Sequence, residues 1–478
     1  MQPPLVDDVR PVDLQEPLEE LARDPKRFSH DLKFPPTEKI RVYDDTLRDG
    51  EQMPGVAITP TNKYQLARML SDIGVHIMDV GFPSVSESER ETLRLVLEGR
   101  KRGELRPDLE VVCMMRSTRG DIDATMRVID SLGHRREEVT YFIFTSASDL
   151  HVKYKLGKTL LHREGIPESE WLELPVSFYR AANLRMMCEA IRYAREHGAR
   201  SIEFGGEDGS RADVDYIAEI HREGIKAGGT RPSTPDTVGC YSPFAVREYI
   251  PAIKAAAPDA PLVVHFHNDL GLGAWNTVVA LGSGAEVFTT SVNGIGERTG
   301  NAPMHQVLLQ LRYLFGIEIP NFKYEKLRAL ARHLERVSGI PVQPTEPGIG
   351  LNVFTHESGI HTAGMLIHPA IYQFLPPADM GAEIEYVYGK HSGALAIEYA
   401  LRNAGIRPEA DLVANVLAEV KRVREERAER SDFSDFHRRY YDHLSRMGLT
   451  ADEVVEIARG LISATHAEPS IRGEEGTA

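Results

Sequence analysis

The chain has 478 residues, enough for a barrel-sized catalytic domain of about 250 residues with further segments attached. Hydrophobic residues at 42% and charged residues at 27%, with no apolar run of bilayer length, exclude a disordered or membrane-spanning chain. A net charge of −15 argues against nucleic acid and anionic membrane as partners, so any anionic substrate must meet a local basic pocket.

Residues 1–36 are proline-rich and acidic, with 18–27 as a short helix. They lack the basic and apolar regions of a signal peptide and are too acidic for a transit peptide, and read as an extension on the outside of the fold. Cys113, Cys188 and Cys240 are too dispersed for a disulfide framework or a zinc site. They read as buried small apolar residues in a protein of the reducing cytoplasm.

From residue 40 onward, short β-rich runs alternate with amphipathic helices. The runs are 40–45, 76–81, 109–115, 139–144, 200–205, a weaker one at 233–239, 262–267 and 287–292. Helix patterns fall between them, among others at 62–73, 184–196, 214–227 and 244–257. Eight strand-helix units predict a (β/α)8 barrel, with its active site at the C-terminal ends of the strands. No G-x-G-x-x-G follows a strand, which argues against an open dinucleotide-binding sheet.

Polar clusters follow these runs. The first ends in Asp44-Asp45-Thr46-Leu47-Arg48-Asp49-Gly50-Glu51-Gln52, which offers an acid for a metal and a guanidinium for developing negative charge. The seventh contains His265 and His267; two residues apart on a strand, they point to one face and can share one ion. Taken alone, that pair reads equally well as core histidines, and Asp49 tips the balance to a metal site. After the eighth run, Gly296 and Gly300 allow close backbone approach to a ligand around Glu297, and Asn301 offers an amide oxygen to the ion. A tight turn with a surface Glu297-Arg298 pair is the simpler alternative. The fifth run leads into Glu207 and Asp208, on the same predicted rim.

The motifs D-T-L-R-D-G-E-Q (45–52), G-F-P (81–83), E-D (207–208), H-F-H-N-D-L-G (265–271), N-G-I-G-E-R-T-G-N (293–301), E-S-G-I-H (357–361) and G-K-H-S-G (389–393) together resemble the 2-isopropylmalate synthase and homocitrate synthase family. The resemblance runs over residues 40–401. It implies a TIM barrel whose divalent metal (Mg, Mn, Zn or Co) supports condensation of acetyl-CoA with a 2-oxo acid, followed by thioester hydrolysis. The metal ligands it implies are Asp49, His265, His267 and Asn301, and the catalytic residues Arg48, Glu207, His361 and Tyr372. Substrate-binding residues are expected at Arg48, Asp79, Arg116, His151, Lys155 and Thr237, with acetyl-CoA at Gly296, Glu297 and Gly300.

His361 and Tyr372 fall in a small α-rich subdomain that, in the family, reaches over a neighbouring protomer, implying a homodimer with shared active sites. The expected organisation is an extension (1–37), the barrel (38–320), the subdomain (321–403) and a helical C-terminal region (404–478), with helices at 412–430 and 451–463 and a frayed last dozen residues.

Two departures from the family pattern stand out. The 85 residues after Gly393 read as helical and are short for a leucine-sensing βββα domain. Asp79 stands where the family commonly has Glu, two residues before G-F-P, which changes the pocket floor. The loop after the fourth run supplies His151 and Lys155, and Arg116 ends the third. They suggest a dicarboxylic or phosphono 2-oxo acid as strongly as they suggest a solvated basic loop. The alternatives are a homocitrate or citramalate-type synthase, or a lyase or carboxyltransferase built on the same metal barrel.

Overall fold

The computed structural model describes residues 12–22, 31–430, 434–435, 438–439 and 448–466. Eight parallel strands close in sequence order: β1 (Arg41–Asp44), β2 (Ile77–Asp79), β3 (Glu110–Arg116), β4 (Thr140–Ser146), β5 (Ser201–Glu207), β6 (Arg231–Asp236), β7 (Val263–Phe266) and β8 (Val287–Thr290). β8 pairs back onto β1, with Val42 opposite Phe288 and Asp44 opposite Thr290. This is the (β/α)8 TIM barrel that the eight-unit pattern predicts.

The sixth strand begins at Arg231 rather than Ser233 and ends at Asp236. Pro232 and Pro235, opposite Phe204 and His265, weaken the strand signal because neither can donate to the ladder.

Alternation sorts the side chains. Every second strand residue faces the barrel axis, among them Tyr43, Met114, Phe142, Glu203, Ser233, His265 and Thr289, and the intervening ones pack under the helices. The helix Pro60–Ile73 shows why the outer ring forms. Thr59 caps it by accepting from the Asn62 amide (3.3 Å), Pro60 sits in its first turn, and Gly74 ends it at φ 112°. Its face of Leu66, Leu70 and Ile73 is fully buried against the barrel. At about 25 cal/mol per Å2, each such side chain contributes on the order of 2 kcal/mol.

Both ends of the barrel segment cross the β8–β1 junction. Before β1, the Lys33 amide donates to the Gly282 carbonyl (2.9 Å) and Phe34 packs on Phe315, ring centroids 4.8 Å apart. Beyond the barrel, the Lys323 amide donates to the Ile73 carbonyl (2.7 Å), and the helix Leu327–Ser338 lies against Pro60–Ile73. Farther on come a two-stranded parallel pair, β9 (Thr355–His356) with β10 (Glu385–Tyr386), and the helices Gly359–Ile367, Ala394–Asn403, Ala410–Arg430 and Ala451–His466. The expected fraying of the last dozen residues lies outside the described residues, as do residues 23–27 of the expected N-terminal helix, of which Leu18–Leu21 is helical.

Cys113 and Cys188 are buried, but Cys240 is exposed, in the turn after β6 where its amide donates to Asp236 (3.1 Å). No helix among the described residues is long and apolar enough to cross a membrane.

Candidate active site

The C-terminal ends of the strands enclose a cavity of about 300 Å3 lined by Arg48, Asp49, Lys155, Glu207, Thr237, His265, His267 and Glu297 from the expected set. β1 ends in a tight turn, with the Arg48, Asp49 and Gly50 amides all reaching the Asp45 carbonyl (2.9–3.1 Å). That turn brings Asp49 next to Arg48, whose Nη1 donates to Asp49 Oδ2 (2.7 Å) and whose Nε donates to Asp79 Oδ2 (2.8 Å). Asp79 therefore lies behind Arg48 and acts on the cavity through it. Burial pushes its carboxyl up to about 6, against the pull of Arg48.

Ligand atoms of Asp49, His265 and His267 all lie within 4.8 Å of one another, and all three residues are buried. Burial would raise the Asp49 carboxyl, but Arg48, His265 and His267 outweigh it and hold it below the usual carboxylate range. His265 Nδ1 faces the Thr289 hydroxyl (2.7 Å) and Asp45 Oδ2 (3.1 Å), which leaves Nε2 toward Asp49 (3.6 Å). Burial and the neighbouring His265 push the His267 imidazole down to about 3, so it is neutral, the form that binds metals.

Among the described residues, the buried Asp49 Oδ1 and His267 Nδ1 have no hydrogen-bond partner, nor does Asn301 Oδ1, which lies on the Gly296 side of the cluster. Asn301 Nδ2 donates to Asp45 (3.3 Å), so its orphaned oxygen belongs to an amide fixed from its other end. Unpaired acceptors of this kind are costly unless something binds them, and a carboxylate, two imidazoles and an amide oxygen suit a divalent cation. The residues present fit a metal.

Across the cavity, Glu207 ends β5 and pairs with Lys155 from the turn His151–Lys155. His151 sits between Glu207 (3.9 Å) and Asp208 (3.6 Å); burial lowers its pKa against their attraction. Thr237 accepts from the Asp208 amide through its hydroxyl (2.8 Å). The glycines after β8 are sterically required. A Cβ on Gly300, at φ 90°, would collide with the Gly294 carbonyl, and one on Gly296 would come 2.8 Å from Asn301 Oδ1.

Other expected residues lie apart. Arg116 does not line the cavity; its side chain is 59% exposed and pairs with Asp121 (2.7 Å). With Arg116 held there and Lys155 on Glu207, the basic residues invoked for an anionic substrate side chain are already paired with acids. His361 and Tyr372 also lie outside this cavity, in an exposed face where their rings stack at 4.2 Å.

Sequence reasoning missed Asp45, Thr289, Tyr43, Glu203, Lys63 and Glu89. Lys63 is fully buried between Glu51 and Glu89 (2.5 Å each), and Glu89 also accepts the Phe82 amide (2.8 Å). The turns after β1 and β2 are tied together there.

Comparison with known proteins agrees with this geometry. Residues 39–163 and 166–333 match the HMGL-like family, and 349–428 match the homocitrate synthase post-HMGL domain-like family. Homocitrate synthase AksA of Methanopyrus kandleri is 35% identical over 386 residues, 80% of this chain and 87% of its own. The 2-isopropylmalate synthase of Sulfurisphaera tokodaii is 34% identical over 389 residues, 81% of this chain and 92% of its own. That of Methanocaldococcus jannaschii is 34% identical over 401 residues, covering 84% and 70%. A barrel that carries this acid-imidazole cluster beside a buried arginine, with matches of that extent, belongs to the HMGL-like family, among its 2-isopropylmalate and homocitrate synthases, and is an acyltransferase of that family.

Proposed function

We propose that the chain condenses acetyl-CoA with a 2-oxo acid and hydrolyses the product thioester, releasing CoA and a 2-alkylmalate-type acid. The observation that carries this reading is the convergence of Asp49, His265 and His267 beside Arg48, with Glu207 on the opposite wall of one cavity.

Asp49, His265, His267 and Asn301 would hold the divalent ion, which when bound supplies Lewis-acid polarisation of the ketone. Arg48 is always charged and is fixed by Asp49 and Asp79, so it is preorganised to stabilise oxygen charge as it develops. Glu207 serves proton removal from the acetyl methyl group. The methyl carbon then bonds to the ketone carbon, the ketone oxygen takes up a proton, and water cleaves the thioester to a carboxylate and free thiol. The turn at Gly296, Glu297 and Gly300 lies where acetyl-CoA would approach the cavity.

We assign His361 and Tyr372 to the cavity of a second copy in a homodimer. Ile360, Tyr372 and Phe374 are 74%, 42% and 63% exposed, an apolar face suited to burial against another protomer.

The test is thiol release from acetyl-CoA across a panel of 2-oxo acids, with and without a chelator. Oxo-acid-dependent, chelator-sensitive release is expected, and silence across the panel overturns the assignment. Mixing Glu207→Ala with His361→Ala protein should restore about a quarter of wild-type activity if the sites are shared, and none if each chain is self-contained.

A further inference from the structure

The floor of the cavity holds two buried polar groups that the proposed chemistry does not use. Glu203 on β5 and Tyr43 on β1 are each 1% exposed, and both line the cavity below the metal cluster. Arg231 Nε donates to Glu203 Oε2 (2.9 Å) and fixes that carboxylate, while Arg231 Nη2 is engaged with Glu110 (2.7 Å). Among the described residues, Glu203 Oε1 has no partner, and neither does the Tyr43 hydroxyl. A buried carboxylate oxygen and a buried phenol left unpaired cost free energy until a ligand or water satisfies them. The surrounding wall is apolar, made by Met114, Phe142 and Phe144.

We propose that Glu203 and Tyr43 form a specificity subsite that selects 2-oxo acids whose side chain ends in a neutral hydrogen-bond donor, a hydroxyl, over methyl-ended and carboxylate-ended acids of similar length. This rests on the condensation reading above. The aliphatic part of such a side chain packs on Met114 and the two phenylalanines. Its terminal O–H donates to Glu203 Oε1, and its oxygen accepts from Tyr43. A methyl end leaves both protein groups unpaired. A carboxylate end meets Glu203 with no available cation: among the cavity-lining residues, Arg48 is held by Asp49 and Asp79, Lys155 by Glu207 and Arg298 by Asp269. Sites built to hydrogen-bond a hydroxyl reject analogues that lack it far more strongly than apolar pockets reject an extra methylene.

The experiment uses the full chain with Mn2+ at pH 8. Thiol-release kcat/KM is measured for 4-hydroxy-2-oxobutanoate and 5-hydroxy-2-oxopentanoate, for their methyl-ended counterparts 2-oxopentanoate and 2-oxohexanoate, and for 2-oxoglutarate. Calorimetric Kd values for the same acids are measured without acetyl-CoA. At least one hydroxyl-ended acid should exceed its methyl-ended counterpart by about tenfold or more in both measurements. Tyr43→Phe should bring that ratio to within about threefold, and Glu203→Gln should raise 2-oxoglutarate about tenfold relative to wild type. The wild-type ranking decides the matter even if Glu203→Gln fails to fold. Preference for a methyl or carboxylate end, or a ratio that survives Tyr43→Phe, overturns the subsite and leaves the condensation intact. Hydroxyl-selective binding without thiol release overturns the condensation and leaves the subsite. Neither binding nor release overturns both.

Discussion

Arg48 draws its importance from geometry as much as from charge. Its planar fork reaches Asp49 and Asp79 at once, which a lysine ammonium on a flexible stem cannot reproduce. Arg48→Lys should therefore keep the fold and lower kcat by about a hundredfold or more, with a smaller effect on the KM for the oxo acid. An unchanged kcat would remove Arg48 from the chemistry. The Asp49, His265 and His267 cluster has a readout independent of turnover. Saturating Mn2+ should raise the unfolding free energy of wild type by about 2–3 kcal/mol at a hundredfold excess over Kd, and His267→Ala should abolish the shift. Asp49, His265 and His267 were legible because each sits in a short run of chemistry-bearing residues at a strand end. Glu203 was not, because it looks like an ordinary polar residue inside the run 200–205. Counting back by twos from Glu207 places it on the inward face, and a charge at an inward position was the signal to read.

At the scale of elements, the turns around the cavity depend on a lysine that does not line it. Lys63 lies on the outer helix Pro60–Ile73, buried between Glu51 of the β1 turn and Glu89 of the helix Glu87–Lys101. Removing the cation leaves two partly buried carboxylates facing each other. Lys63→Ala should thus destabilise the chain by about 3 kcal/mol or more in denaturant unfolding, and any folded fraction should lose activity as the turn carrying Arg48 loosens. A shift under about 1 kcal/mol would show that the pair of turns stands without it. Strand order was readable from the alternation of runs and helices, since parallel strands buried on both faces leave dense apolar stretches. β6 was read out of place because its prolines mimic a turn. The links from Lys63 to Glu89 and from His265 to Thr289 run between different strand-helix units, so no local pattern announces them.

For the whole molecule, two carboxyls inside the barrel contribute to the pH dependence, with a sign opposite to that of buried neutral histidines such as His267. Burial pushes Glu203 up to about 7, against the pull of Arg231, and Asp79 up to about 6, against Arg48. Both bind protons more tightly in the folded state than in the unfolded chain. Between about pH 4 and 7 the native state therefore holds the extra protons, and stability contributed by these groups is lost as pH rises through that window. Glu203→Gln should make the slope of unfolding free energy against pH between 5 and 7 more positive by up to ~1.4 kcal/mol per pH unit, measured by urea titration at each pH. An unaltered slope would assign the pH response elsewhere.

The crossing of the β8–β1 junction by both flanking segments bears on how the barrel comes apart. A closed ring of strands has one place where neighbours are far apart in sequence, and that is where a crack would start. Here the segment before β1 overlaps the junction in one direction and the segment after β8 overlaps it in the other, like the two flaps of a lap joint. Parting β8 from β1 requires both flaps to lift first. Contacts that must break before this seam parts add to the barrier against unfolding there.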